Sequence, residues 1–179
     1  MQFDLLSHPD CKPSGEPFKL WGSVEHSAAF GATATLNIWF GIDSPISRFI
    51  VPAASSEPAR RDELWAATCF EAFLAEEGED GYREWNFAPS GDWAAYDFSD
   101  YRDGMNRPDV AAPYIRLEDN FTWWALGATI AVPSRRHWRL GLSVVLEEED
   151  GTKSYWALAH PPSGKPDFHH RDCFAAKLP

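Results

Sequence analysis

WAATCFEAFLAEEGEDGYREWNFAPSGDWAAYDF, residues 65–98, is the stretch on which the fold turns. Its first third is ambiguous. Ala, Leu and Glu suit a helix, whereas Thr68, Cys69, Phe70 and Phe73 suit a strand. The rest resolves it. YREWNFA (82–88) and DWAAYDF (92–98) flank Pro89-Ser90-Gly91, a turn signal, and so form a hairpin. A strand over 67–75 entering that hairpin through the acidic turn EEGEDG completes a three-strand meander.

The same two-residue period recurs on both sides. In GATATLNIWFGID (31–43), Ala34, Leu36, Ile38, Phe40 and Ile42 share one face, with Thr33, Thr35, Asn37, Trp39 and Asp43 on the other. That is a half-buried strand. YIRLED (114–119) reads as a short strand and FTWWALGATIAV (121–132) as a strand buried on at least one face, broken by Pro133-Ser134-Arg135-Arg136. HWRLGLSVVLEE (137–148) alternates again, Asp150-Gly151 signals a hairpin, and TKSYWALAH (152–160) is the return strand. The tail predicts a loop and a closing strand at 173–178. About eight to ten short strands without a long helix predict an all-β fold, an antiparallel β-sandwich of jelly-roll or immunoglobulin-like type. Residues 1–16 read as a polar, Pro-rich lead-in, and 17–179 as one domain.

Composition excludes several classes. The chain has 179 residues, 44% hydrophobic, with a net charge of −11 from 27 acidic and 16 basic residues. At this length one domain buries roughly two-thirds of its unfolded surface. The apolar runs are too short to cross a membrane as helices. The acidic balance argues against nucleic acid, which needs a basic surface that releases counterions. Three cysteines without regular spacing are no disulfide framework. The first residues lack a basic then apolar leader, so the expected location is cytoplasmic.

Asp62, Glu63, Trp65, Cys69, Glu71 and Phe73, followed by Tyr82, Glu84, Pro89 and Gly91, form a pattern that resembles the DOMON-like superfamily, in the branch related to family 9 carbohydrate-binding modules. The ending SYWALAHPPSGKPDFHHRDCFAAKL is similar to bacterial DOMON-like proteins. The resemblance covers residues 17–178. It implies a jelly-roll-like β-sandwich that binds a small ligand, usually a sugar or a haem, without chemistry. In family 9 modules two aromatic rings sandwich the sugar.

Nine Trp, twelve Phe and five Tyr supply both core and stacking surface. A sugar packs its C–H face on an indole and needs fixed polar groups for its hydroxyls. Trp85 and Trp93, flanking one turn, are the expected stacking pair among Trp65, Trp123, Trp124 and Trp156. Arg83, Glu84, Asn86 and Glu71 are the expected polar partners, with Trp156 and His160 nearby. A second set, His160, Asp167, His169, His170, Asp172 and Cys173, has the chemistry of zinc ligands, though adjacent His169 and His170 point apart on a strand. Met105 with one of these histidines would be the haem pair. Two acidic clusters, Glu76, Glu77, Glu79 and Asp80, and Glu147, Glu148, Glu149 and Asp150, are calcium candidates or solvated turns.

No nucleophile elbow, P-loop or zinc-protease motif is present. The expectation is therefore a non-catalytic domain for a sugar-like small molecule. The alternatives are an interaction or homo-oligomerisation domain, and a metal or haem protein.

Overall fold

A computed structural model describes residues 1–30, 32–134, 137–162 and 164–178. Arg135 and Arg136, part of the expected strand break, lie outside them. Among the described residues there are eleven strands: β1 (Gln2–Ser7), β2 (Leu20–Phe30), β3 (Thr33–Ile42), β4 (Cys69–Glu76), β5 (Tyr82–Phe87), β6 (Trp93–Phe98), β7 (Tyr114–Asp119), β8 (Trp124–Pro133), β9 (Trp138–Glu147), β10 (Lys153–Ala157) and β11 (Ala176–Leu178). Helix among the described residues is confined to three short 3₁₀ turns. Among the described residues no helix is long and apolar enough to cross a membrane.

All the strand pairs are antiparallel, in the order β6-β5-β4-β9-β10-β1-β2-β3-β8-β7, with β11 added to β9. The sheet curls into a half-barrel. β1 is the joint. Gln2 to Leu5 pair with β2, and Leu6 and Ser7 pair with β10. The segment read as a lead-in therefore supplies the strand that links the two halves. Its alternation, Phe3 and Leu5 against Asp4, is only three residues deep, too short to stand out among prolines and polar residues.

The period-two pattern places the core. Leu36, Ile38 and Phe40 of β3 and Trp124 and Leu126 of β8 meet Phe70, Ala72 and Leu74 of β4 and Leu142 and Val144 of β9. The Phe40 and Phe70 rings are 5.2 Å apart, and the Phe70 and Trp124 rings 5.6 Å. The side chains of alternate residues then point to the opposite, outer faces of the two halves. On the β4–β5–β6–β9 half the outer face carries a second apolar cluster that includes Phe73, Tyr82, Tyr96, Phe98 and Phe174. The C-terminal segment, through Phe168, Cys173 and Phe174, packs on it.

The acidic clusters differ from one another. Glu148 is buried, accepting hydrogen bonds from Arg48 Nε at 2.8 Å and from the Ser14 backbone N–H and hydroxyl at 2.8 and 2.9 Å. It fastens the loop after β1 to the end of β9, so it is neither a calcium ligand nor a solvated turn residue. Glu77 and Asp80 pair instead with Lys177 and Arg171.

Candidate functional site

The outer face of the β4–β5–β6–β9 half holds an unusual polar patch. Glu71, Glu84, Asn86 and Ser143 lie in mid-strand and all are buried. Strand pairing explains their meeting. Glu71 stands opposite Asn86 on β5 and opposite Ser143 on β9. Glu84 is two residues from Asn86 on the same face, diagonal to Glu71.

The hydrogen bonds form a network. Ser143 Oγ donates to Glu71 Oε2 at 2.9 Å. Asn86 Nδ2 donates to Glu84 Oε1 at 2.6 Å, and the Cys69 thiol reaches Asn86 Oδ1 at 3.6 Å. Tyr82 Oη lies 2.7 Å from His169 Nδ1 and accepts from the Arg102 backbone N–H at 3.2 Å. The phenol then donates to Nδ1, which leaves the His169 proton on Nε2, facing Glu84 Oε2 at 3.7 Å. Tyr96 donates to Asp62 Oδ1 at 2.8 Å, and Arg107 pairs with the same carboxylate.

Burial sets the protonation. Desolvation, with the Glu84 carboxylate as second cause, pushes Glu71 up to about 8. Glu84 is also raised by burial, against the Asn86 bond and the Arg102 charge. His169 falls to about 4, first by burial and then by Arg102. Burial raises the Cys69 thiol well above its ordinary value, so it is no nucleophile at neutral pH. At neutral pH the patch thus sets a protonated Glu71 carboxyl among amide and hydroxyl groups that donate and accept at once. That suits hydroxyls of a neutral ligand better than a charge.

Trp65 stands at the edge of this face. It is 54% exposed, on a 3₁₀ turn (Leu64–Ala66) packed against β4 and β5. On the other side an open groove of about 530 Å³ runs between Arg102, Asp167 and His170 and the prolines of the C-terminal loop. Arg102 Nη2 bonds Asp167 at 2.8 Å and Tyr101 donates to the same carboxylate, so the loop is strapped beside the network.

The expected stacking pair lies elsewhere. Trp85 and Trp93 do meet across the hairpin, with ring centroids 5.9 Å apart, but on the core face. They are 1% and 8% exposed, and the Arg60 guanidinium covers Trp93 at 5.2 Å. Neither offers a free ring face, because odd-numbered positions of β5 and β6 point inward. Arg83 is on that side too, in a bidentate pair with Asp97 at 2.6 and 2.8 Å. Trp124 is fully buried and Trp156 packs on Phe18 in the core. His160 is turned to β1, its Nε2 donating to the Leu6 carbonyl at 2.8 Å. Of the residues read from sequence, Glu71, Glu84 and Asn86 are brought together by the sheet, with His169 3.7 Å from Glu84 and Trp65 on a turn at the edge.

Among the described residues no three His, Cys, Asp or Glu side chains converge as ligands. Asp167 is engaged by Tyr101 and Arg102, His169 by Tyr82, and His170 Nδ1 accepts from the Asp172 N–H. Met105 is 61% exposed on a loop. Tyr82, Tyr96, Ser143 and Arg102 are site residues that sequence reasoning missed as such. The face shared by Tyr82, Glu84 and Asn86 was visible in the alternation; the contributions of β9 and the loops needed long-range pairing.

No protein-family model matches this chain, and no curated protein matches it. Its fold is similar to a crystal structure of a "putative carbohydrate-binding protein from Bacteroides uniformis ATCC 8492", with a TM-score of 0.61 over 97% of this chain and 83% of that one, at 13% identity. That likeness shows a shared β architecture.

Proposed function

We propose that this chain is a non-catalytic binding domain for a neutral, sugar-like small molecule, and a β-sandwich of the DOMON-like type related to family 9 carbohydrate-binding modules. The reading is carried by one observation: four buried polar side chains, Glu71, Glu84, Asn86 and Ser143, in the middle of a sheet face whose edge bears the half-exposed indole of Trp65. Burying such groups costs free energy. A sheet gains nothing from it in packing, whereas a polyhydroxylated ligand gains a fixed set of donors and acceptors. The indole adds an apolar face for the C–H side of the ring. The similar fold of a protein described as carbohydrate-binding supports the same reading.

The three cysteines, Cys11, Cys69 and Cys173, are free, which fits a reducing compartment such as the cytoplasm. The test is titration of tryptophan fluorescence with a panel of neutral mono- and oligosaccharides. Saturable quenching lost in both Trp65→Ala and Glu84→Gln supports the reading. An unchanged isotherm in both variants overturns it.

A further inference from the structure

The outer face of the other half carries a second, independent arrangement. Two rows of residues cross it. Glu25, Asn37, Thr129 and Tyr114 pair in turn across β2, β3, β8 and β7, and Ser23, Trp39, Gly127 and Arg116 form the row beside them. Trp39 lies against β8. A Cβ on Gly127 would stand 3.0 Å from three atoms of its six-membered ring. One row further on, Trp21 lies still closer over Gly41. Glycine in mid-strand forfeits side-chain packing and marks a place where something approaches the backbone closely; here it lets an indole lie down on the sheet.

The other side of Trp39 is occupied by the Arg116 guanidinium, 4.3 Å from the ring centroid. Stacked this way and with its Nε 3.5 Å from Glu118 Oε1, the half-exposed guanidinium is held in place. Tyr114, 66% exposed, stands next to it on the edge strand. Thr129 Oγ1 donates to Asn37 Oδ1 at 2.8 Å and fixes the amide. Together with Glu25 these groups bound a groove of about 330 Å³, at the small end of clefts that hold small molecules.

We propose that this groove is a second saccharide site, for an uncharged pyranoside ring. The class follows from the lining. Tyr114 supplies a free aromatic face. Arg116 donates from one wall and Glu25 accepts on the other, with amide and hydroxyl between them. The carboxylate repels a phosphate or a sugar acid, and the guanidinium repels a cation, so a neutral polyhydroxylated ring fits best. The inference rests on the preceding function only for the ligand class; the groove shares no residue with the Glu71–Glu84 patch.

The test uses the ¹⁵N-labelled full chain and its tryptophan indole N–H resonances, assigned with Trp39→Phe and Trp65→Phe. The probes are cellotetraose, maltotetraose and mannotetraose, with trigalacturonate as the charged comparison. The Trp39 resonance should shift saturably with at least one neutral probe. Tyr114→Ala and Glu25→Gln, both exposed positions, should each weaken that isotherm about tenfold or more while leaving any Trp65 response unchanged. A Trp39 resonance that no neutral probe moves, an isotherm unaltered in both variants, or tighter binding of trigalacturonate overturns the proposal. A response at Trp65 alone sinks this site and leaves the first; a response at Trp39 alone does the reverse.

Discussion

His169 Nε2 lies 3.7 Å from Glu84 Oε2, yet the two do not form an ion pair at neutral pH. The imidazole is held near 4 by burial and by Arg102, and it takes the Tyr82 proton in a hydrogen bond at 2.7 Å. Between its ordinary value of 6.5 and about 4, the unfolded chain binds a proton there that the folded chain refuses. Stability should therefore fall as pH drops through that window, by about 1.4 kcal/mol per pH unit for one full proton. His169→Gln should remove this slope. Urea midpoints from pH 4 to 9 check it, and parallel curves for variant and parent would refute it.

Glu71 has the opposite sign. Its carboxyl is raised from 4.5 to about 8, so the folded chain holds a proton that the unfolded chain releases. Stability should fall as pH rises from 4.5 to 8 and level off above. From 4.5 to 6.5 the Glu71 and His169 slopes oppose each other, while Glu84, also raised by burial, acts on the Glu71 side. Glu71→Gln keeps the shape, removes the titration and uncovers the rising His169 limb. The same urea series on this variant is the measurement; a curve that falls between pH 6.5 and 8 as steeply as the parent's contradicts the assignment.

The sequence made the strand meander legible because period-two alternation is a local signal. β4, β5 and β6 each show it within six to eight residues. It also showed that Tyr82, Glu84 and Asn86 share a face. It did not show which face is the core. Trp85 and Phe87, both large and apolar, settle that only when set beside the flanking acid and amide, and the excess of Trp invited a surface role for them. Nor could alternation show that β9 lies next to β4, which brings Ser143 to Glu71, since 72 residues separate the two. On the other half, Trp39 stood plainly on the polar side of its strand. What was missing was Gly127, the partner across the sheet.

The two classes of tryptophan should separate by stability alone. Trp85 fills the core against Phe87 and Trp93, with ring centroids 6.3 and 5.9 Å away. Trp85→Ala leaves a large cavity and should cost about 3–5 kcal/mol. Trp65 is half in solvent, and Trp65→Ala should cost within about 0.5 kcal/mol. Chemical denaturation of both variants checks this. Equal losses would mean that the exposed indole is structural and would weaken its place in the ligand site.

Trp21 and Gly41 provide the cleanest test of the laid-down indoles, because they sit directly opposite each other on β2 and β3. A Cβ at position 41 would fall 2.1 Å from Cε2 and Cζ2 of Trp21, so the ring must lift off the sheet to admit one. Gly41→Val should cost about 1–3 kcal/mol by overpacking. In a Trp21→Ala background the obstruction is gone and valine is the better strand residue, so the same change should be neutral or stabilising. The double-mutant cycle should then show an interaction energy between about 0.5 and 3 kcal/mol. If Gly41→Val costs the same with and without the indole, the glycine is required by the backbone of β3 and not by the ring above it. The reading of Gly127 as room for Trp39 would then lose its footing too, since that contact is looser at 3.0 Å.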